Sequence, residues 1–126
     1  MENKRILVID DEEYVREVIQ ICLETVAGWE VMAANSGLSG IEIAEKEQPD
    51  AILLDVMMPE MDGIMTFKQL QLSQLTKDIP IVLLTAKAEV TQDQELAKIG
   101  IKATIPKPFE PLELPSQIAK ALNWNL

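Results

Sequence analysis

Two adjacent acids, Asp10 and Asp11, a third acid at Asp55, a hydroxyl at Thr85 and an amine at Lys107 are spread over most of a 126-residue chain. Each stands at or shortly after the end of a short apolar run: Ile6-Leu7-Val8-Ile9, Ala51 to Leu54, Ile81 to Leu84, and a weaker Ala103 to Ile105. Gathered in one place, three carboxylates repel one another by about 4 kcal/mol per pair at ~4 Å and an effective dielectric of ~20, so the site calls for a cation. Mg²⁺ suits it, because that ion prefers oxygen ligands and needs only one or two protein carboxylates; calcium and manganese would compete. A divalent ion beside an ammonium and a hydroxyl donor matches phosphoryl oxygens, and the implied chemistry is phosphoryl transfer.

Taken singly, these residues have plainer explanations. Asp10 and Asp11 can satisfy the free N–H groups of a following helix. Asp55 can cap a turn, Thr85 can close a strand, and Lys107 can be a solvated amine. Capping preferences alone do not produce acid pair, acid, hydroxyl and lysine at four separate strand ends in that order.

Composition narrows the function further. The chain has no histidine, which removes Ser-His-Asp and Cys-His nucleophiles, His-ligated zinc and phosphohistidine carriers. Eleven basic against 21 acidic side chains leave a net charge of −10, a field that repels phosphate backbones and anionic lipid, so neither direct nucleic-acid binding nor membrane binding is expected. The lone Cys22 cannot form an internal disulfide. No apolar stretch reaches the roughly 18 residues of a membrane span, and acids follow the N-terminus too soon for a signal peptide. A cytoplasmic protein is the expectation.

The acids must be positioned by the elements around them. A further apolar run, Trp29 to Ala33, brings the expected strands to five, and segments of helical period separate them. Val15, Val18, Ile19, Cys22 and Leu23 form one stripe of a first helix from about Glu12 to Val26, stopping at Gly28. Leu38, Ile41 and Ala44 or Ile43 suggest a second, ended by Gln48-Pro49-Asp50; Ile64, Phe67, Leu70 and Leu75 suggest a third, ending before Pro80. Val90, Leu96, Ala97 and Ile99 mark a fourth closed by Gly100, and Leu114, Ile118, Ala121 and Leu122 a fifth that begins near Pro111 or Pro115.

The first, third and fourth runs are apolar on both faces, as in parallel strands covered by helices on each side. Right-handed crossovers then give an α/β fold: an open, doubly wound, five-stranded parallel sheet with five helices on two faces, in a single domain over residues 1–126. In such sheets ligands bind just outside the carboxyl ends of the strands, where all the chemical residues fall.

With those residues in place, the chain resembles the receiver domain of two-component response regulators, the family of the small chemotaxis regulators. The stretch Asp55-Val56-Met57-Met58-Pro59-Glu60-Met61-Asp62-Gly63 carries most of the likeness, supported by Ile6-Leu7-Val8-Ile9-Asp10-Asp11-Glu12, Leu84-Thr85-Ala86 and Lys107-Pro108-Phe109. The resemblance implies that Asp55 accepts a phosphoryl group from a partner histidine kinase or histidine phosphotransfer protein. It implies Mg²⁺ held by Asp11, Asp55 and the backbone carbonyl of Met57, with Asp10 acting mainly through a bound water. Thr85, the backbone N–H of Ala86, and Lys107 would contact the phosphoryl oxygens. It also implies the flavodoxin-like strand order 2-1-3-4-5 and a cis bond between Lys107 and Pro108. Phosphorylation would draw Thr85 inward with the loop after the fourth strand, and a separate downstream protein would read the change.

The sequence departs from the family pattern where an aromatic residue usually stands three before the lysine: here it is Thr104. A hydroxyl of that size either weakens the usual coupling or serves strand packing. Ile101 replaces a small residue after Gly100, and Pro106 stiffens the approach to Lys107. Met57 and Lys87 flank the path of an attacking water, and methionine cannot orient one, so slow self-hydrolysis is expected. Two other functions remain in view: a receiver-like adaptor that is not phosphorylated, and a Mg²⁺-dependent phosphatase with an aspartyl nucleophile, although the latter needs an acid where Met57 stands. A flavodoxin-like nucleotide site fails on charge, since Asp10-Asp11-Glu12-Glu13 would repel its phosphate.

Overall fold

A computed structural model describes residues 3–56, 63–86, 101 and 103–124. Five strands, β1 (Arg5–Ile9), β2 (Glu30–Ala34), β3 (Ala51–Asp55), β4 (Ile81–Ala86) and β5 (Ala103–Lys107), form one sheet. All neighbours are parallel, in the order β2-β1-β3-β4-β5. From β1 the chain first moves out to β2 and then returns to the other side of β1 with β3. The carboxyl ends of β1 and β3 therefore flank the switch point, where an open α/β sheet leaves a crevice.

Side chains alternate across the sheet with period two, and the apolar strands use both faces. Ile6, Val8, Leu53, Val82, Leu84 and Ile105 pack on one side against Ile19 and Leu23 of the first helical segment and Leu114 and Ile118 near the C-terminus. Leu7, Ile9, Ile52, Leu54, Ile81 and Leu83 pack on the other against Ala44, Phe67 and Leu70. Each such Leu or Ile, fully buried, contributes roughly 1.5–3 kcal/mol.

The strands run further than their apolar residues. β3 includes Asp55, β4 includes Thr85 and Ala86, and β5 includes Lys107. The second strand is shifted by one residue: Trp29 lies outside β2 and is buried at its foot, edge-to-face with Trp124 at 5.4 Å.

The helices follow the expected order with local corrections. Helix α1 (Glu13–Cys22) gives way to a π-helical turn over Leu23–Ala27. The wider turn keeps Leu23 and Ala27 both buried and closes at Gly28, whose φ of +73° suits glycine. Helix α2 (Gly37–Glu47) starts from Ser36, whose hydroxyl accepts the Ser39 N–H, and ends in left-handed Gln48. Leu38 is no core residue. It is 61% exposed, while Gly37, Gly40 and Ala44 form the buried face, because the helix lies close enough to β1 for a side chain at Gly40 to overlap Ile9.

Helix α3 (Gly63–Leu72) also ends earlier than its apolar pattern. Buried Thr76 donates to the Leu70 carbonyl at 2.7 Å, and the turn it makes leaves Leu75 58% exposed. The helix expected fifth is α4 (Leu114–Leu122), entered through a 3₁₀ turn at Pro111–Glu113. The expected fourth helix, Val90 to Gly100, lies outside the described residues. No described helix is long and apolar enough to cross a membrane.

Candidate functional site

Alternation along the strands places the site. Asp10 follows the row of Ile6 and Val8, Asp55 that of Ala51 and Leu53, and Lys107 that of Ala103 and Ile105, so all three side chains leave the sheet on the face covered by α1 and α4. Carboxylate oxygens of Asp10, Asp11 and Asp55 come within 4.8 Å of one another, with Asp10 and Asp55 buried and Asp11 exposed. Lys107 Nζ donates to Asp10 Oδ2 and to Asp55 Oδ1, each at 3.1 Å.

Burial draws the Lys107 ammonium down, but the charges of Asp10 and Asp55 and their hydrogen bonds outweigh it and hold its pKa above the usual lysine value. The amine is therefore a fixed cation at neutral pH. One ammonium does not balance three carboxylates, and an all-oxygen donor set of this size fits a hard divalent ion.

Asp10 is held at every polar atom. Its N–H donates to the Ala34 carbonyl at 3.1 Å, and its own carbonyl accepts from Arg16 Nη1 at 2.7 Å. Carboxylate oxygen Oδ1 accepts the Glu12 N–H at 2.9 Å while Oδ2 takes Lys107. Asp10 thus supports the start of α1 with one oxygen and joins the cluster of acids and lysine with the other.

Thr85 follows Ile81 and Leu83 onto the opposite face from the acids. Its hydroxyl is buried and has no hydrogen-bond partner among the described residues. Ala86 ends β4 in register with Lys107. Thr104 is half-buried in β5, paired with Leu83. The Lys107-Pro108 peptide is cis, as expected. Met57 and Lys87 lie outside the described residues.

Two contributors were not singled out by their chemistry. Gly63, the first residue of α3, packs so tightly under the end of β3 that a Cβ there would overlap the Asp55 carbonyl oxygen and lie 2.6 Å from Val56 Cα; its N–H also donates to the Val56 carbonyl at 2.9 Å. Arg16, on α1, reaches back over the acid pair. A long cation six residues after Asp10 in a helix that starts at the acids was the available signal. Beside Lys107, an apolar groove of about 390 Å³ opens between Tyr14 and Val18 of α1 and Pro108, Phe109 and Pro111.

A family model for the response regulator receiver domain matches residues 6–119. The chain belongs to this receiver family. The receiver is 40% identical over 120 residues to the alkaline phosphatase synthesis transcriptional regulatory protein PhoP of Bacillus subtilis, covering 95% of this chain and 49% of PhoP. It thus spans about half the length of that relative. Its fold matches the chemotaxis protein CheY4 of Vibrio cholerae at a TM-score of 0.86 and 29% identity, over 95% of the receiver and 99% of CheY4. It also matches the receiver domain of a sensor histidine kinase from Pseudomonas aeruginosa PAO1, at a TM-score of 0.83 and 25% identity over 97% and 99% of the two chains; that structure has a magnesium ion coordinated in its active-site cleft.

Proposed function

We propose that the receiver, as a single domain over residues 1–126 acting in the cytoplasm, takes a phosphoryl group onto Asp55 from a phosphohistidine on a partner histidine kinase or phosphotransfer protein. The change in shape that follows controls a downstream protein. The observation that carries this reading is a buried Asp55 carboxylate at the end of β3, clustered with two further acids and held at 3.1 Å by Lys107.

Asp11, Asp55 and the backbone carbonyl of Met57 would hold Mg²⁺. Both Asp10 oxygens are already engaged by the Glu12 N–H and Lys107, which supports an indirect role for Asp10 through a water. Bound there, the ion supplies charge neutralisation for an anionic nucleophile meeting an anionic phosphoryl group. The remaining work falls to the chain. An Asp55 carboxylate oxygen forms the new bond to phosphorus as the phosphorus–nitrogen bond of the donor breaks, its electron pair staying on the histidine nitrogen. Asp55 needs no general base, being an anion already. Lys107 moves its hydrogen bonds onto the phosphoryl oxygens, and the Thr85 hydroxyl and the Ala86 N–H take the others. A buried hydroxyl without a partner among the described residues is poised for such an acceptor. Its movement would pull the loop after β4, with Thr104 in place of the family's aromatic residue.

Incubation with acetyl phosphate and Mg²⁺, followed by intact-mass measurement, tests the assignment. One added phosphoryl group in the wild type and none in Asp55→Ala is the expected result. Equal labelling of Asp55→Ala, or none in the wild type with acetyl phosphate and with a phosphorylated histidine kinase alike, overturns it.

A further inference from the structure

We propose that Arg16 is a positioning residue for the metal-binding acids, acting through the peptide that joins Asp10 to Asp11. The inference rests on the reading of the acid cluster as a cation site. Arg16 Nη1 donates to the Asp10 carbonyl at 2.7 Å, the short distance of a charge-assisted bond. Its backbone N–H donates to the Glu12 carbonyl at 3.1 Å, so the arginine is rooted in the first turn of α1 and straps the loop between β1 and that helix.

The strap matters because the two acids are held differently. Asp10 has its N–H on Ala34 and its carboxylate on Glu12 and Lys107. Asp11 is exposed, and its carboxylate takes no hydrogen bond among the described residues. The direction in which Asp11 projects is therefore set by its backbone. The peptide between the two residues is planar, so fixing the Asp10 carbonyl also fixes the Asp11 N–H, leaving Asp11 only its own φ and side-chain torsions. Arg16 thereby holds the exposed acid near the two buried ones through the backbone alone.

Charge and position act in opposite directions here. Deleting a guanidinium that rests on the Asp10 carbonyl removes a positive charge near the acids, which by Coulomb attraction alone tightens cation binding. Deleting the strap frees Asp11 and weakens it. The sign of the change separates the two roles.

Mg²⁺ dissociation constants for the wild type, Arg16→Ala, Arg16→Lys and Asp11→Asn, by calorimetric titration of the full chain together with metal-free melting curves, decide the matter. Loss of an outer partner that orients a ligand typically weakens metal binding at least about tenfold, the change expected for Arg16→Ala. Arg16→Lys keeps the charge but loses the planar fork, and it should bind more weakly than the wild type though less so than Arg16→Ala. Affinity in Arg16→Ala equal to or tighter than the wild type overturns the inference, even if its metal-free melting temperature falls. Should Arg16→Ala fail to fold, wild-type affinity in Arg16→Lys overturns it equally. Absence of Mg²⁺ binding by the wild type removes the cation reading and the inference with it, whereas weakening in Asp11→Asn alone leaves the cation site standing and removes only the role of Arg16.

Discussion

The ammonium of Lys107 and the carboxylate of Asp55 meet at 3.1 Å across 52 residues of sequence, joining the ends of β5 and β3 over the intervening β4. The same ammonium holds Asp10 at 3.1 Å. It does in the metal-free protein part of what a bound cation would do.

Replacing Lys107 by glutamine leaves two buried acids without that cation. Metal-free Lys107→Gln should lose on the order of 2–3 kcal/mol, read by urea denaturation. Added Mg²⁺ should stabilise it more than the wild type, because the incoming ion no longer meets an ammonium. The lysine's folded pKa is raised, so its contribution is complete below the ordinary lysine pKa and lost only as pH climbs through the higher folded value. The lysine's share of the gap between the two proteins should therefore stay level from about pH 6 to 9.

Thr85→Val tests the buried hydroxyl. That hydroxyl has no partner among the described residues, and an unpartnered polar group costs about 1–3 kcal/mol to bury, so the near-isosteric methyl should leave the unphosphorylated protein as stable or more stable. The phosphorylated form should lose its extra protection from local opening, measured by hydrogen exchange around β4. A clear fall in the melting temperature of unphosphorylated Thr85→Val would contradict the unpaired state of that hydroxyl.

Gly63→Ala forces α3 away from the end of β3. Its Cβ meets main-chain atoms of Asp55 and Val56, which cannot rotate aside. Overpacking of this kind costs typically 1–3 kcal/mol, and Mg²⁺ affinity should fall as Asp55 shifts. Gly40→Ala, whose obstacle is the flexible end of Ile9, should cost less in the same melting assay.

Mg²⁺ at ten times its dissociation constant should stabilise the wild type by roughly 1.4 kcal/mol through mass action, which for a domain of this size is about 4–7 °C in Tm. Asp11→Asn should lose most of that rise. Its metal-free Tm should hold steady, since the Asp11 side chain is exposed and no longer adds to the repulsion among the acids.

Much of the fold and site was legible because it depends on short periods. The doubly apolar runs of β1, β3 and β4 announce buried parallel strands, the acids and hydroxyl sit at the ends of those runs, and the lysine ends the weaker run of β5. Counting by twos from Leu53 to Asp55 and from Ile105 to Lys107 already puts both side chains on one face. Leu38 and Leu75 were misleading for the same reason: each fits a helical period, but a glycine approach at Gly40 and a buried Thr76 decide which face is covered. The strand ends also ran past the hydrophobic signal, because ladder hydrogen bonds continue through polar residues.

By itself the sequence determined which residues can do chemistry, that they fall at carboxyl ends of strands, and that no histidine is available to take part; these are properties of residue type and local period. Only the tertiary structure decided that Asp10 divides its two oxygens between Glu12 and Lys107, that Arg16 takes the Asp10 carbonyl, and that Thr85 stays apart with its hydroxyl unpaired among the described residues. Those outcomes depend on distances between segments far apart in the chain. Packing of the sheet against its helices sets them, and no one-dimensional pattern carries them.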